Sequence, residues 1–179
     1  MYLYHTARNH PENFYLGVDC NARPLEKISE RIFRKPDKGG ASNLLYLLSS
    51  VESLPEELNG ISNEILILFP WGSLLRSVAC GQTEVLQGLK SISAASASLK
   101  IVIGFDPQTD KNELQRLGIP PLSLEYIHQT LVPLYQNAGF KLQTAELLTE
   151  QDWEKLKTSW AQRLRQNPAR SVFQLLFTL

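Results

Sequence analysis

The 179-residue chain predicts an α/β fold, a mostly parallel sheet with helices on both faces. Two observations lead there. Its strand-like runs are apolar throughout instead of alternating, as in strands buried on both faces. Between them lie segments whose apolar residues recur at helical spacing. A third observation concerns organisation. No linker, internal repeat or low-complexity tract interrupts the chain, and 43% hydrophobic residues suffice for one sizeable core, so residues 1–179 are expected to form a single domain.

The strand-like runs are Phe14–Asp19, Leu44–Leu48, Glu64–Phe69, Leu99–Phe105 and Ser171–Phe177. The first helical segment is Pro24–Phe33, where Leu25, Ile28 and Ile32 fall at i, i+3 and i+7 on one face. Thr83–Ala97 and Ser123–Ala138 also read as helices, the second kinked at Pro133, which has no N–H to donate.

Composition excludes several function classes. Lys+Arg and Asp+Glu balance at 18 each, so any nucleic-acid surface must be local. Cys20 and Cys80 have no metal-ligand spacing, and His5, His10 and His128 have no partner spacing. That argues against a disulfide framework or a metal site and for a reducing compartment. No apolar run approaches a membrane span, and the first residues lack the pattern of a signal peptide, so a cytoplasmic protein is expected.

In sheets of this kind ligands collect beyond the carboxyl ends of the strands. Asp19 ends the first strand, where a carboxylate can hold a ribose; a helix cap or solvated turn is the other reading. The second strand leads into Ser49, Ser50, Val51, Glu52 and Ser53, a polar loop suited to a purine edge or, more plainly, a capped loop. The third strand ends in Phe69-Pro70-Trp71-Gly72, an indole where the chain leaves the sheet. The position is similar to that of the (D/N)-P-P-(Y/F) tetrapeptides of amino-group methyltransferases, in which a carbonyl and an aromatic face meet a base. Core packing of Trp71 is the alternative. Trp160 offers a second ring, and two indoles can sandwich one extruded base at about 1–3 kcal/mol per stacking contact. Trp153, seven residues earlier, suits helix packing instead. Lys27, Arg31 and Arg34 line the polar face of the first helix, followed by Lys35-Pro36-Asp37-Lys38-Gly39-Gly40. A solvated face is the default for such charges; the Lys-Gly-Gly turn suits phosphate contact.

Taken together and in order, FYLGVD, RKPDKGGASNLLYLLSSVESLP, ILILFPWGSLL and SWAQRLRQNPARSVFQ resemble the aminoglycoside-resistance 16S ribosomal RNA adenine-N1-methyltransferases, the NpmA and KamB family. The resemblance covers nearly the whole chain. It implies a Rossmann-like methyltransferase fold, S-adenosyl-L-methionine as cofactor, and N1 of a decoding-site adenine of 16S rRNA in the 30S subunit as target. It further implies that Asp19 holds the cofactor ribose and that Ser50, Val51 and Leu68 surround its adenine, with Glu52 in the same loop. Trp71 and Trp160 would clamp the flipped base, the Pro70 carbonyl would read its amine, and Thr158 would stand where the family has a serine. Lys35, Lys38, Arg163 and Arg170 would contact or steady the ribosomal RNA.

One departure accompanies the resemblance. The family's acidic residue and Gly-x-Gly-x-Gly loop after the first strand are absent from residues 1–179, whose opening resembles the helix that follows that loop. The expectation is an N-terminally shortened chain without the family's first strand. Two further functions remain open at this stage: a non-catalytic RNA-binding relative without cofactor, and a methyltransferase acting on another RNA such as tRNA.

Overall fold

The computed structural model describes residues 2–106, 108–149, 152 and 170–179. Thr158, Trp160 and Arg163, and with them Trp153, lie outside the described residues. The chain divides into two compact units, one within Met1–Leu54 and the other within Pro55–Leu179.

The first unit contains α1 (Tyr2–Asn9), β1 (Tyr15–Asp19), α2 (Ala22–Ile32) and β2 (Leu44–Leu48). β1 and β2 pair in parallel, Tyr15 opposite Leu44 and Asp19 opposite Leu48. Tyr4, Ala7, Ile32, Ala41 and Leu44 form its buried core. Asn43, just before β2, uses one amide to close the end of α1. Its Nδ2 donates to the carbonyls of Ala7, His10 and Asn13 at 2.9, 3.2 and 2.8 Å. These include carbonyls that a helix C-terminus leaves without intrahelical partners. Gly17 stands opposite Tyr46 in this pairing, where a Cβ would sit 2.5 Å from the Tyr46 ring.

The second unit contains β3 (Ser62–Leu68), α3 (Gly72–Ala79), α4 (Thr83–Ile92), β4 (Ser93–Phe105), α5 (Lys111–Leu117), α6 (Leu124–Tyr126), α7 (Val132–Asn137), β5 (Lys141–Leu147) and β6 (Ser171–Thr178). Its sheet has the order β3-β4-β6-β5. β3 and β4 are parallel, whereas β6 runs antiparallel to both β4 and β5. The sheet is therefore mixed, a correction to the mostly parallel arrangement expected. The cause is β6, which inserts between β4 and β5 and runs against both; β5 itself is hidden from a search for apolar runs by its charged and polar residues. It lies at the edge, where one-sided burial suffices, and returns to β6 antiparallel. The central strand β4 buries both faces: Leu99, Ile101 and Ile103 alternate with Val102, all at most 1% exposed. Phe177 stacks on Tyr135 with centroids 4.5 Å apart, joining β6 to α7.

Two boundaries differ from expectation. The segment Ser93–Ala97, expected as the end of a helix, is the beginning of β4. Ser93 Oγ donates to the Leu89 carbonyl at 2.7 Å, a back-bond that competes with helix continuation, and Ser93 pairs with Ser62 of β3. The disturbance expected at Pro133 is a π-helical turn, Ile127–Leu131, between α6 and α7. It absorbs the missing proline donor within a continuous helical path.

Candidate functional site

The first unit gathers its candidate cofactor residues where β1 and β2 end side by side. Parallel pairing puts Asp19 level with Leu48, and the Ser49 N–H donates to the Asp19 carbonyl at 3.1 Å, tying the two exits together. The exposed Asp19 carboxylate accepts from the Asn21 N–H through Oδ1 at 2.8 Å, so its direction is fixed. Asn21 in turn caps α2 by accepting from the Arg23 N–H. The cap alternative thus falls to Asn21, two residues further on, while Asp19 presents its carboxylate to solvent. Beyond β2, the Ser49 hydroxyl donates to the Ser53 carbonyl at 2.9 Å and closes a short turn of 3-10 helix, Val51–Ser53. Ser50 and Val51 are half-buried in this turn and Glu52 is exposed. A carboxylate acceptor beside a partly apolar, partly polar loop suits the ribose and adenine of a nucleoside.

Lys35 and Lys38 occupy the loop that enters β2, at the opposite end of that strand from Ser49. Both are exposed. The Lys35 carbonyl accepts from the N–H groups of Lys38 and Gly40, each at 2.9 Å, which folds the loop back on itself. Gly40 is packed so closely that a Cβ would lie 1.7 Å from the Arg34 carbonyl oxygen.

In the second unit, Leu68, Pro70 and Trp71 follow one another at the carboxyl end of β3. The element missed in sequence is Phe69. It adopts φ +52°, an unusual backbone for a bulky residue, while its N–H still donates to the Val102 carbonyl at 2.8 Å. The ring is buried with Val102 and Val172. This left-handed step turns the chain out of the sheet, with Phe69 and Pro70 buried and Trp71 47% exposed. The core-packing alternative for Trp71 is therefore excluded. Trp71 precedes α3, whose far end is anchored by two phenols. Tyr126 donates to the Ala79 carbonyl at 3.1 Å and Tyr135 to the Val78 carbonyl at 3.0 Å. Burial pushes the pKa of both phenols up, with Cys80 adding to the effect at Tyr126.

Arg170 stands at the start of β6, beside the carboxyl end of β4, since Phe105 pairs with Ser171. Its side chain is 10% exposed and its Nη1 donates to Asp110 Oδ2 at 2.7 Å and to the Gly104 carbonyl at 3.3 Å. Asp110 Oδ2 also accepts from the Asp106 N–H at 2.9 Å, so one carboxylate closes the loop after β4 and fixes the arginine. Asp106 Oδ1 accepts from the Gln108 N–H at 2.9 Å within the same loop. The sequence signal for this pairing was two aspartates four residues apart flanking Pro-Gln-Thr, a turn pattern without an obvious ligand.

Cys20 and Cys80 are free thiols. Among the described residues, no group of three His, Cys, Asp or Glu side chains is arranged to hold a metal ion, and no helix is long and apolar enough to cross a membrane.

The chain is similar to known proteins over nearly its whole length. The family model for 16S rRNA (adenine(1408)-N(1))-methyltransferase matches residues 1–178. An Escherichia coli protein of that name is 32% identical over 97% of this chain and 80% of its own length. Its namesake in Streptoalloteichus tenebrarius is 33% identical over 97% of this chain and 78% of its own. Among solved structures, a tryptophan-to-alanine variant of the enzyme from Catenulisporales acidiphilia with cosubstrate SAM superposes with TM-score 0.88, at 32% identity over 98% of this chain and 79% of that one. The aminoglycoside resistance methyltransferase NpmB1 gives TM-score 0.82, at 36% identity over 99% of this chain and 81% of that one. Matched by the family model over residues 1–178 and about 32% identical to curated members over 97% of its length, the chain belongs to the 16S rRNA (adenine(1408)-N(1))-methyltransferase family.

Proposed function

We propose that this chain transfers a methyl group from S-adenosylmethionine to N1 of adenine 1408 in 16S rRNA, with the assembled 30S subunit as substrate. The observation that carries the reading is the exposed Trp71 ring beyond β3, in a chain that matches the family model over residues 1–178. Both compact units are read as parts of one methyltransferase domain.

Bound S-adenosylmethionine supplies an electrophilic methyl carbon on a sulfonium. The residues of this chain bind and orient. Asp19 accepts from the ribose hydroxyls, and Ser50, Val51 and Glu52 border the adenine of the cofactor, to which Leu68 is assigned by resemblance. Trp71 offers the target base a π-face that the protein interior does not cover, and Trp160 is assigned the opposite face by resemblance. Pro70 has fixed φ and a carbonyl that can accept from the exocyclic amine of the target, with Thr158 assigned nearby. No general base is required, because N1 of adenine already carries a lone pair in the ring plane. That lone pair forms the bond to the methyl carbon as the carbon–sulfur bond breaks, its electrons remaining on sulfur. Rate enhancement then rests on orientation and approach distance. Lys35 and Lys38 contact phosphates and Arg163 is assigned to the rRNA by resemblance, while Arg170, nearly buried and paired with Asp110, steadies the loop after β4.

The test is methylation of 30S subunits with labelled S-adenosylmethionine, followed by primer extension. Methylation at N1 blocks Watson–Crick pairing, so reverse transcription is expected to halt at adenine 1408. Label incorporation without that stop would move the activity to another nucleotide; no incorporation would leave a non-catalytic RNA-binding role.

A further inference from the structure

The basic loop of the first unit is held by a residue that the functional reading leaves unused. The buried Tyr4 of α1 donates its hydroxyl to the Gly39 carbonyl at 2.7 Å. Arg8, one turn further along α1, donates Nη1 to the same hydroxyl at 3.3 Å. The Arg31 guanidinium lies over the Tyr4 ring, 4.4 Å from its centroid. Both cations border the same glycine. A Cβ on Gly39 would be 3.8 Å from Arg31 Nε and 3.9 Å from Arg8 Nη1. Gly39 has φ +88°, which disfavours any side chain there, and the Tyr4 hydroxyl lies 3.1 Å from where its Cβ would be, so the two guanidinium groups and the hydroxyl converge on one point of the loop.

Among the described residues, the ion pairs involve His10, Arg116 and Arg170, and none involves Arg8 or Arg31. Burial raises the pKa of the Tyr4 phenol, yet the hydrogen bond and charge of Arg8 and the charge of Arg31 outweigh it and leave the phenol below its ordinary range. The locality is thus positive, and among the described residues no carboxylate stands within ion-pairing distance of either guanidinium. Two guanidinium groups converging without a carboxylate repel each other, and a phosphate oxygen between them would accept charge-assisted hydrogen bonds from both.

We propose that Arg8 is a further phosphate contact for the RNA substrate, at Gly39, and that Tyr4 is the positioning residue that aligns it with the Lys35–Lys38 loop. The inference rests on the RNA-binding reading of that loop. Tyr4 acts in three ways: its hydroxyl fixes the loop carbonyl, the same hydroxyl holds Arg8, and its ring supports Arg31. The ligand class is a backbone phosphate, so the contact adds affinity and register without choosing a base.

Binding of 30S subunits across a potassium chloride series tests this with the full chain. Arg8→Gln is expected to weaken binding several-fold at moderate salt and to lower the slope of log K against log salt by about 1. Arg8→Lys should retain most of that slope. Tyr4→Phe should also flatten the slope, a readout that mere loss of packing would not move. If Arg8→Gln binds with unchanged affinity and slope while Lys35→Gln lowers both, the loop contacts RNA and Arg8 does not, which overturns the proposal. A slope unmoved by all of these variants would overturn it together with the RNA reading of the loop. The primer-extension stop reports on the methyltransferase reading separately.

Discussion

Arg170 and Asp110, 60 residues apart in the chain, form a 2.7 Å ion pair with side chains only 10% and 12% exposed. The pair ties the start of β6 to the loop after β4, at the same end of the sheet as Trp71. A second guanidinium nitrogen, Arg170 Nε, is buried without a hydrogen-bond partner among the described residues. Arg170 thus gives up some hydration for direction, a cost that one strong partner must offset.

Removing that partner is expected to be expensive. Asp110→Ala strands a nearly buried guanidinium and should cost about 3–5 kcal/mol in denaturant unfolding. Asp110→Asn keeps an acceptor and should cost less. A loss below about 0.5 kcal/mol for Asp110→Ala would show that the pair is solvated like a surface ion pair.

Trp71 and Phe69 should separate function from folding. Trp71→Ala removes a half-exposed ring and is expected to change stability by less than about 1 kcal/mol. Methylation should fall by roughly 5- to 150-fold, the rate equivalent of about 1–3 kcal/mol of stacking. Phe69→Ala empties a buried site and should instead cost about 3–5 kcal/mol of stability. Parallel melting curves and turnover on 30S subunits decide. Normal turnover by Trp71→Ala would remove the stacking role.

The lysine loop should contribute affinity alone. Replacing Lys35 and Lys38 together by Glu is expected to weaken 30S binding and to flatten its salt dependence. Cofactor affinity, measured by calorimetry, should not change. Binding indifferent to both substitutions returns these lysines to an ordinary solvated face.

Loop geometry can be tested without touching a charge. Gly40→Ala would place a Cβ 1.7 Å from the Arg34 carbonyl oxygen, a backbone atom that cannot swing aside. The loop must shift, at an expected cost of about 1–3 kcal/mol, with weaker 30S binding alongside. Unchanged stability and binding would mean that the Lys35–Gly40 turn is not held as described.

The two thiols should react at different rates. Cys20 is exposed, whereas Cys80 is half-buried and its thiol pKa is raised by burial, with Arg76 pulling it down more weakly. A raised pKa leaves less thiolate at a given pH below it, and the thiolate is the nucleophile. Iodoacetamide at about pH 8 should therefore modify Cys20 first, with Cys80 following slowly until the chain is unfolded. Equal rates would contradict the burial of Cys80.

The sequence by itself determined β1, β2, the core of β3, most of α2 and the placement of Asp19 and Trp71 at strand ends. Each is encoded locally. An apolar run, a 3.6-residue period or a proline restricts the backbone within a few residues, whatever the rest of the chain does. Tertiary structure decided what depends on distant partners. Ser93–Ala97 is a small-residue segment that could extend a helix; pairing of Ser93 with Ser62 makes its start strand. β5 is legible only through its antiparallel partner β6, because its own residues show no apolar run. Phe69 accepts a left-handed backbone because burying its ring against Val102 and Val172 outweighs the local strain, and that choice turns Trp71 outward. Arg170, assigned to the ribosomal RNA by resemblance, pairs with Asp110, which the β4–β6 pairing brings beside it. Local sequence sets conformational preferences worth tenths of a kcal/mol to about 1 kcal/mol per residue. Burial and ion pairing between remote segments are worth several times that, and where the two disagree the remote contact prevails.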